Sequence, residues 1–256
     1  MALVERIQNS NLDFPHDHLT HDSRLEWWYL WGKLDNIFYH CATFRFRIGQ
    51  TYRTTHWSLH NKETEYFEDT KTEMDGLKTE LLYFNNRFIL NTEEFDLVAI
   101  PNSKPIIHSM EGREYYSIPH LSTTMFLKRE SRWIEGESWL DHEFGDDVSR
   151  IDKNWDWLCV KLNNGVCVMI GKDITQTTAY CNVIFQDRQV ITEGYLDDLF
   201  ACVPELGMSF ELVPTTEERI FHPKVGKKYS EQPQEIWHKG EIVGHGMRER
   251  THSKGE

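Results

Sequence analysis

Residues 157–171 read WLCVKLNNGVCVMIG, two short apolar runs with β-branched side chains that meet at an Asn-Gly pair. A period of two sends successive side chains to opposite faces of a strand, and Asn-Gly takes up the positive-φ geometry of a tight hairpin turn with little strain. The same grammar recurs along the chain. Short aromatic and β-branched runs (WWYLWGKL, NIFYHCATFRFRIG, RTTHWSL, LLYFNNRFIL, YCNVIFQDRQVI) are broken by turn signals such as Leu34-Asp35-Asn36 and Asn85-Asn86. Many short strands at close spacing predict an all-β chain built as sandwiches or barrels. Two segments are candidates for short helices: the charged stretch 64–81, which also suits a solvated loop, and residues 194–206, with the helix ahead of Pro204.

At 256 residues the chain suits one large domain or two compact ones. The polar, acidic stretch GDDVSRIDKN (145–154) is the best boundary, dividing it into units 1–148 and 149–256. With 28 basic against 41 acidic residues the net charge is −13, which argues against nucleic acid or an anionic membrane as partner, since both demand clustered Lys and Arg. No apolar run approaches the roughly 20 residues of a membrane span, so no membrane insertion is expected. The start MALVERIQNSNLD has no apolar signal segment, and the five cysteines are odd in number and lack a CxxC spacing. These features predict reduced thiols and a cytoplasmic protein. The sequence leaves open whether it is a monomer or a homodimer.

Three stretches set a carboxylate within two residues of a tryptophan: EWWYLWG (26–32), GESWLDHEFG (136–145) and WDW (155–157). Aromatic rings favour burial, whereas carboxylates resist it unless paired, hydrogen-bonded or protonated. Their combination suits a partly dry cavity wall, where an acid acquires an altered pKa and can act on an apolar molecule.

PHDHLTH (15–21), EWWYLWGKL (26–34), YYSIPHLS (115–122), GESWLDHEFG and WDWLCVKLNNG (155–165), in this order, resemble the carotenoid 1,2-hydratase/AttH-like proteins, a group that includes lipocalin-like Diels–Alder-type cyclases. Past residue 170 the likeness fades, though IWHKGEIVGHG (236–246) resembles the late YWEG stretch of that family, with Ile236 in place of Tyr and His238 in place of the acid. The resemblance implies two tandem lipocalin-like β-barrel or sandwich units with an apolar pocket, and no metal or organic cofactor. It also implies hydration of isolated alkenes or folding of polyenes and terpenoids into rings. The acid of the hydratases aligns with Asp141. The chain is shorter than most of these relatives, so a trimmed second unit and a compact substrate are expected.

On a strand, Trp139, Asp141 and Glu143 share one face while Leu140 and His142 take the other. Asp141 is the candidate general acid; lifting an Asp from about 4 to about 7 costs roughly 4 kcal/mol, which a dry aromatic pocket can supply. Glu26 reads first as a buried carboxylate tied to a backbone amide or an arginine, and second as a further catalytic carboxyl. His142 and Tyr116 are candidate assistants, a phenol being able to hydrogen-bond a substrate carbonyl. Trp28, Tyr29, Tyr115, Trp139, Trp157 and Trp237 are candidate walls of a substrate pocket, with Asp156 as a hydrogen-bonded support. Which face of the EWWY strand lines that pocket is open. His16, His18 and His21 could ligate a metal, but lacking a regular period they read as caps and hydrogen-bond partners, so no metal is assigned. No GxSxG, no Gly-rich phosphate loop and no cysteine in an electropositive setting supports nucleophilic or nucleotide chemistry.

The expected function is a cofactor-free cyclase acting on an unsaturated, apolar natural-product intermediate (polyene, polyketide or terpenoid), by templating one reactive conformer and donating a proton or hydrogen bond. The alternatives are a hydratase of an isoprenoid double bond and a non-catalytic carrier of a hydrophobic small molecule.

Overall fold

The computed structural model describes residues 3–6, 23–60, 65–73, 81–110, 113–147, 154–186, 188–222 and 227–251. Strand β1 (Leu3–Arg6) is followed by β2 (Leu25–Leu34), β3 (Ile37–Ile48), β4 (Gln50–His60), β5 (Glu65–Glu73), β6 (Leu82–Phe84), β7 (Arg87–Asn91), β8 (Phe95–Pro101), β9 (Ile106–Met110), β10 (Arg113–Leu127) and β11 (Arg132–Gly145). Then come β12 (Trp155–Leu162), β13 (Cys167–Asp173), β14 (Ala179–Phe185), β15 (Arg188–Leu196), β16 (Phe200–Val203), β17 (Met208–Pro214), β18 (Arg219–Phe221), β19 (Tyr229–His238) and β20 (Glu241–Thr251). The chain divides into two compact units, Asn9–Arg150 and Ile151–Glu256, with β1 joined to the second.

The turns lie where the sequence puts them. Asn85 and Asn86 both have positive φ (49° and 58°) between β6 and β7, as a two-residue hairpin requires, and Asp35 (φ 51°) turns β2 into β3. Gly165 (φ 82°) closes the β12–β13 hairpin, where the Val166 carbonyl accepts from the Leu162 amide.

In the N-terminal unit all ladders are antiparallel, in the order β5-β4-β3-β2-β11-β10-β8-β7-β6, with β9 also paired to β10. The sheet curls on itself. Trp57 of β4 meets Phe95 of β8 edge-to-face at 5.1 Å, and Trp28 of β2 meets Phe88 of β7 at 5.6 Å, although each pair of strands lies far apart in the sheet order. The concave face therefore carries the core: Trp28, Leu30, Cys41, Leu97, Ile118 and Leu140 pack there. A polar network is set into it, in which the Ser138 hydroxyl lies 2.5 Å from the Tyr39 hydroxyl and 2.6 Å from that of Thr123, tying β3, β10 and β11 together. Gly32 makes room for this network, since a Cβ there would lie 2.5 Å from the Ser138 hydroxyl and 2.6 Å from the Glu137 carbonyl.

The C-terminal unit forms a closed barrel of eight strands. Its order β15-β14-β13-β12-β20-β19-β17-β16 returns to β15 through Tyr195↔Cys202 and Leu196↔Ala201. Leu158, Val168, Ile170, Val183, Leu212 and Ile236 fill its interior, and closure removes exposed edges. At one stretch of this interior Asp156 forms a two-pronged ion pair with Arg248, at 2.9 and 2.7 Å. Asp156 is thus the hydrogen-bonded support anticipated from WDW.

Two expectations need correction. Residues 65–73 of the charged stretch form strand β5, not a helix or loop. Residues 194–206 hold no α-helix: the Asp197 side chain accepts from the amides of Leu199 and Phe200, turning β15 into β16, and only a 3-10 turn, Pro204–Leu206, follows. Pro204 fixes φ at the start of that turn and Gly207 (φ 62°) ends it, so the pattern YLDDLF never acquires a helical register. The second unit is the closed barrel, and the first is the open, curled sheet. His16, His18 and His21 lie outside the described residues.

Candidate active site

Strand β11 pairs along its length with β2 and β10, so its two faces sort the candidate residues into two groups. Glu26, Trp28, Tyr116 and His142 belong to the concave, core side. Tyr29, Tyr115, Trp139 and Asp141 belong to the outer side, and that side is also withdrawn from solvent, with Asp141 3% exposed. EWWY turns Glu26 and Trp28 to the core, and Tyr29 on its other face is buried as well.

On the core side the Glu26 carboxylate receives Arg45 at 2.6 Å and His142 Nε2 at 3.0 Å. The His142 ring stacks on Trp28 (centroids 3.6 Å apart, 7° between planes), and Tyr116 meets His142 edge-on at 5.1 Å. Strands β2, β3 and β11 are thereby joined through charge and ring contacts beside the apolar core. This is the tied-carboxylate arrangement that the sequence offers first for Glu26. Burial, with Tyr83 and Glu26 nearby, pushes the Tyr116 phenol well above its ordinary range, so it stays a neutral hydroxyl.

On the outer side the Ser117 hydroxyl donates to Asp141 Oδ1, and Ser117 Oγ lies 2.8 Å from His108 Nε2. Burial raises the Asp141 carboxyl from 3.8 to about 7; donors on Ser117, Trp139 and Tyr115 pull it down and the Glu143 charge raises it further. Near neutral pH the group is thus divided between acid and carboxylate. Burial lowers His108 to about 3, so its ring is neutral. With Asp141 ionised, Ser117 spends its proton on the carboxylate and His108 must present Nε2–H; with Asp141 protonated the chain can reverse, Asp141 donating to Ser117 and Ser117 to His108. Ser117 and His108 escape notice in the sequence, although the alternation of YYSIPH does put Ser117 on the Tyr115 face.

The outer face holds more than Asp141. His40, His56, Ser58 and His60 are buried there on β3 and β4. Their signal is present in THWSLH, where His, Ser and His occupy every second position. Among the described residues no three His, Cys, Asp or Glu side chains are disposed to hold a metal ion. Trp157 and Trp237 lie in the C-terminal unit, each next to a residue of its core (Leu158, Ile236) and so directed to the barrel's outer side.

No sequence-family model matches the chain, and no curated protein matches it in sequence. Solved structures do match in fold. An AttH-like protein of Nitrosomonas europaea superposes with a TM-score of 0.74 at 17% identity, over 96% of this chain and 99% of that one. Kievitone hydratase of Nectria haematococca superposes with a TM-score of 0.61 at 13% identity, over 90% and 89%. Among the described residues no helix is long and apolar enough to cross a membrane. In fold, the chain is a tandem lipocalin-like β protein of the kind seen in that AttH-like protein and that hydratase.

Proposed function

We propose that the protein is an enzyme that adds water to a carbon–carbon double bond of an apolar, unsaturated small molecule, with Asp141 as the proton donor. The observation that carries this reading is a carboxyl withdrawn from water, held near pKa 7 by burial, and hydrogen-bonded to Ser117 on the face of the sheet turned away from the core. An acid that is part neutral at physiological pH is what general-acid catalysis asks for.

In the first step the neutral Asp141 gives its proton to one alkene carbon, the π pair forming the new C–H bond and leaving a carbocation and a carboxylate. Ser117 donates to that carboxylate, and the rings of Tyr29, Tyr115 and Trp139 offer apolar walls and π faces that favour a cation. Water then forms the C–O bond and releases a proton. Nothing in this sequence requires a metal or organic cofactor.

Hydration is preferred to ring closure because pure templating of a pericyclic reaction would leave Asp141 without a purpose. A carrier would need no acid kept at this cost either. Proton-initiated ring closure, with a second double bond capturing the cation, remains the competing outcome of the same first step.

The test is incubation with kievitone, with other prenylated phenols and with linear isoprenoid alkenes, in heavy water and separately in ¹⁸O-water, followed by mass spectrometry. Hydration gives a product with one carbon-bound deuterium and one labelled oxygen; ring closure gives the deuterium without the oxygen. Unchanged alkene bound at one equivalent would replace the enzyme reading with the carrier.

A further inference from the structure

The outer face of the N-terminal sheet changes character across its width. Around Asp141 it is dry. Across β6, β7, β8 and the hairpin end of β10 and β11 it meets solvent, and there it is apolar. Leu82, Phe84, Ile100 and Trp133 are 43%, 63%, 42% and 63% exposed. Their strand neighbours Tyr83, Phe88, Ala99 and Ile134 belong to the concave core, so alternation turns the exposed set outward. Half-buried Ile89 and Val98 continue the row that starts at Leu82, and the Phe126 ring lies 4.9 Å from that of Trp133. Four strand spacings make this band about 19 Å wide. The solvated face of an antiparallel sheet ordinarily bears polar side chains, and a contiguous apolar patch with a polar rim marks a contact surface.

The rim decides what covers it. The chain carries a net charge of −13, so two copies repel unless the touching faces carry both signs. Exposed Tyr195 and Phe200 of the C-terminal barrel fail this condition, since Glu193 and Glu211 stand beside them and would meet their own kind in a copy. The N-terminal band meets it. Arg87 lies on its β7 flank, Glu135 and Glu137 lie on its β11 flank, and Lys128 neutralises Asp96 beside Phe126 at 2.7 Å. Among the described residues Arg87 has no acidic partner.

The register puts Arg87 and Glu137 in one transverse row. Phe84 pairs with Arg87, the Phe88↔Ala99 pairing sets Arg87 next to Ile100, and Ile100 pairs with Ser122, which pairs with Glu137. The row therefore reads Phe84, Arg87, Ile100, Ser122, Glu137. A two-fold axis parallel to the strands, lying over Ile100, reverses this order in a second copy. Ile100 then meets its own counterpart. Arg87 stands over Ser122 of the copy, one strand spacing, about 4.8 Å, from Glu137 of the copy, within reach of a long side chain. The two-fold makes the same pair a second time on the other flank.

We propose that this face is the interface of a homodimer in which two N-terminal sheets pack face to face with aligned strands, as the layers of a β-sandwich do. The apolar band is the core of the contact, and two Arg87–Glu137 pairs close its rim. The band is smaller than the interface of a permanent dimer, so the association is a weak one, with a Kd of about 1–100 µM.

Sedimentation velocity on the full-length chain, from about 1 to 300 µM, measures the equilibrium. Arg87→Glu alone and Glu137→Arg alone should each weaken dimerisation about 10-fold or more, because each sets like charges together on both flanks. An equal mixture of the two single variants should recover the wild-type affinity, since every flank then joins an acid to a base; only a two-fold contact between copies does this. Ile100→Lys, which places two ammonium groups on the axis, and Phe84→Ser should also weaken it about 10-fold, and both positions are exposed, so circular dichroism melts should stay unchanged. A dimer undiminished in these variants, or single charge variants whose mixture fails to recover, overturns the proposal. A chain monomeric throughout the range overturns it too; flotation with neutral phosphatidylcholine vesicles, lost in Phe84→Ser, would then give the face to a lipid surface.

Discussion

Replacing Asp141 by Asn should stabilise the protein above neutral pH while abolishing its proposed chemistry. Burial lifts this carboxyl from 3.8 to about 7. An unfolded chain gives up the proton near pH 4, whereas the folded chain keeps it until near pH 7. Between those values the folded state binds more proton than the unfolded state, so stability falls as pH rises through the interval. An interval of about 3 pH units at about 1.36 kcal/mol each amounts to a penalty of about 4 kcal/mol, absent below pH 4 and complete above pH 7. Asparagine is neutral throughout and keeps an oxygen to accept from Ser117. Asp141→Asn should therefore match the wild type near pH 4 and exceed it by up to about 4 kcal/mol at pH 8, or roughly 10 °C in Tm. Urea unfolding followed by tryptophan fluorescence from pH 4 to 8.5 measures the difference. A variant less stable by a constant amount at every pH would refute the reasoning, because it would mean that Asp141 is ionised and satisfied in the fold. Activity lost together with stability gained is the signature of a residue kept for chemistry.

Other changes probe the frame around the site. Glu26→Gln removes the carboxylate that holds Arg45 and His142, leaving a buried guanidinium without its counter-ion; a loss of about 3–5 kcal/mol is expected in chemical unfolding, and a change under about 1 kcal/mol would show that the pair is dispensable. Asp156→Asn should cost the C-terminal barrel a comparable amount by breaking the pair with Arg248, visible as a lowered urea midpoint. Gly32→Ala forces a methyl against Ser138 and the Glu137 carbonyl and should lower stability by about 1–3 kcal/mol, whereas a neutral result would mean that the two strands can part without cost.

The strand content and the turns were legible before any coordinates because they are local. Asn85-Asn86 and Asn164-Gly165 mark their own turns, and alternation in THWSLH sets a period of two whatever surrounds it. The pairing of Trp139 with Asp141 on one face, and of Leu140 with His142 on the other, follows from the same rule. Where the signal was only compositional it misled. Charge in residues 64–81 and the apolar spacing of GYLDDLFACVPEL left the element type open, and ladder pairing to β4 and the Asp197 turn made strands of segments that had looked helical. His108, Ser117 and His40 are each unremarkable in their own stretch, and the period of two in THWSLH says nothing of what Ser58 meets. Their chemistry begins only when β9 is laid against β10 and β3 against β4.

The sequence by itself determined an all-β chain, its hairpins, and which side chains of each strand travel together, since these depend on backbone geometry within a few residues. Only the tertiary structure decided which face was which. Curling the N-terminal sheet until Trp57 meets Phe95 gave Glu26 and His142 to the core, where Arg45 neutralises the carboxylate. The same curl left Asp141 on the opposite face, buried beside the Ser117 hydroxyl, and a carboxyl withdrawn from water holds its proton to higher pH.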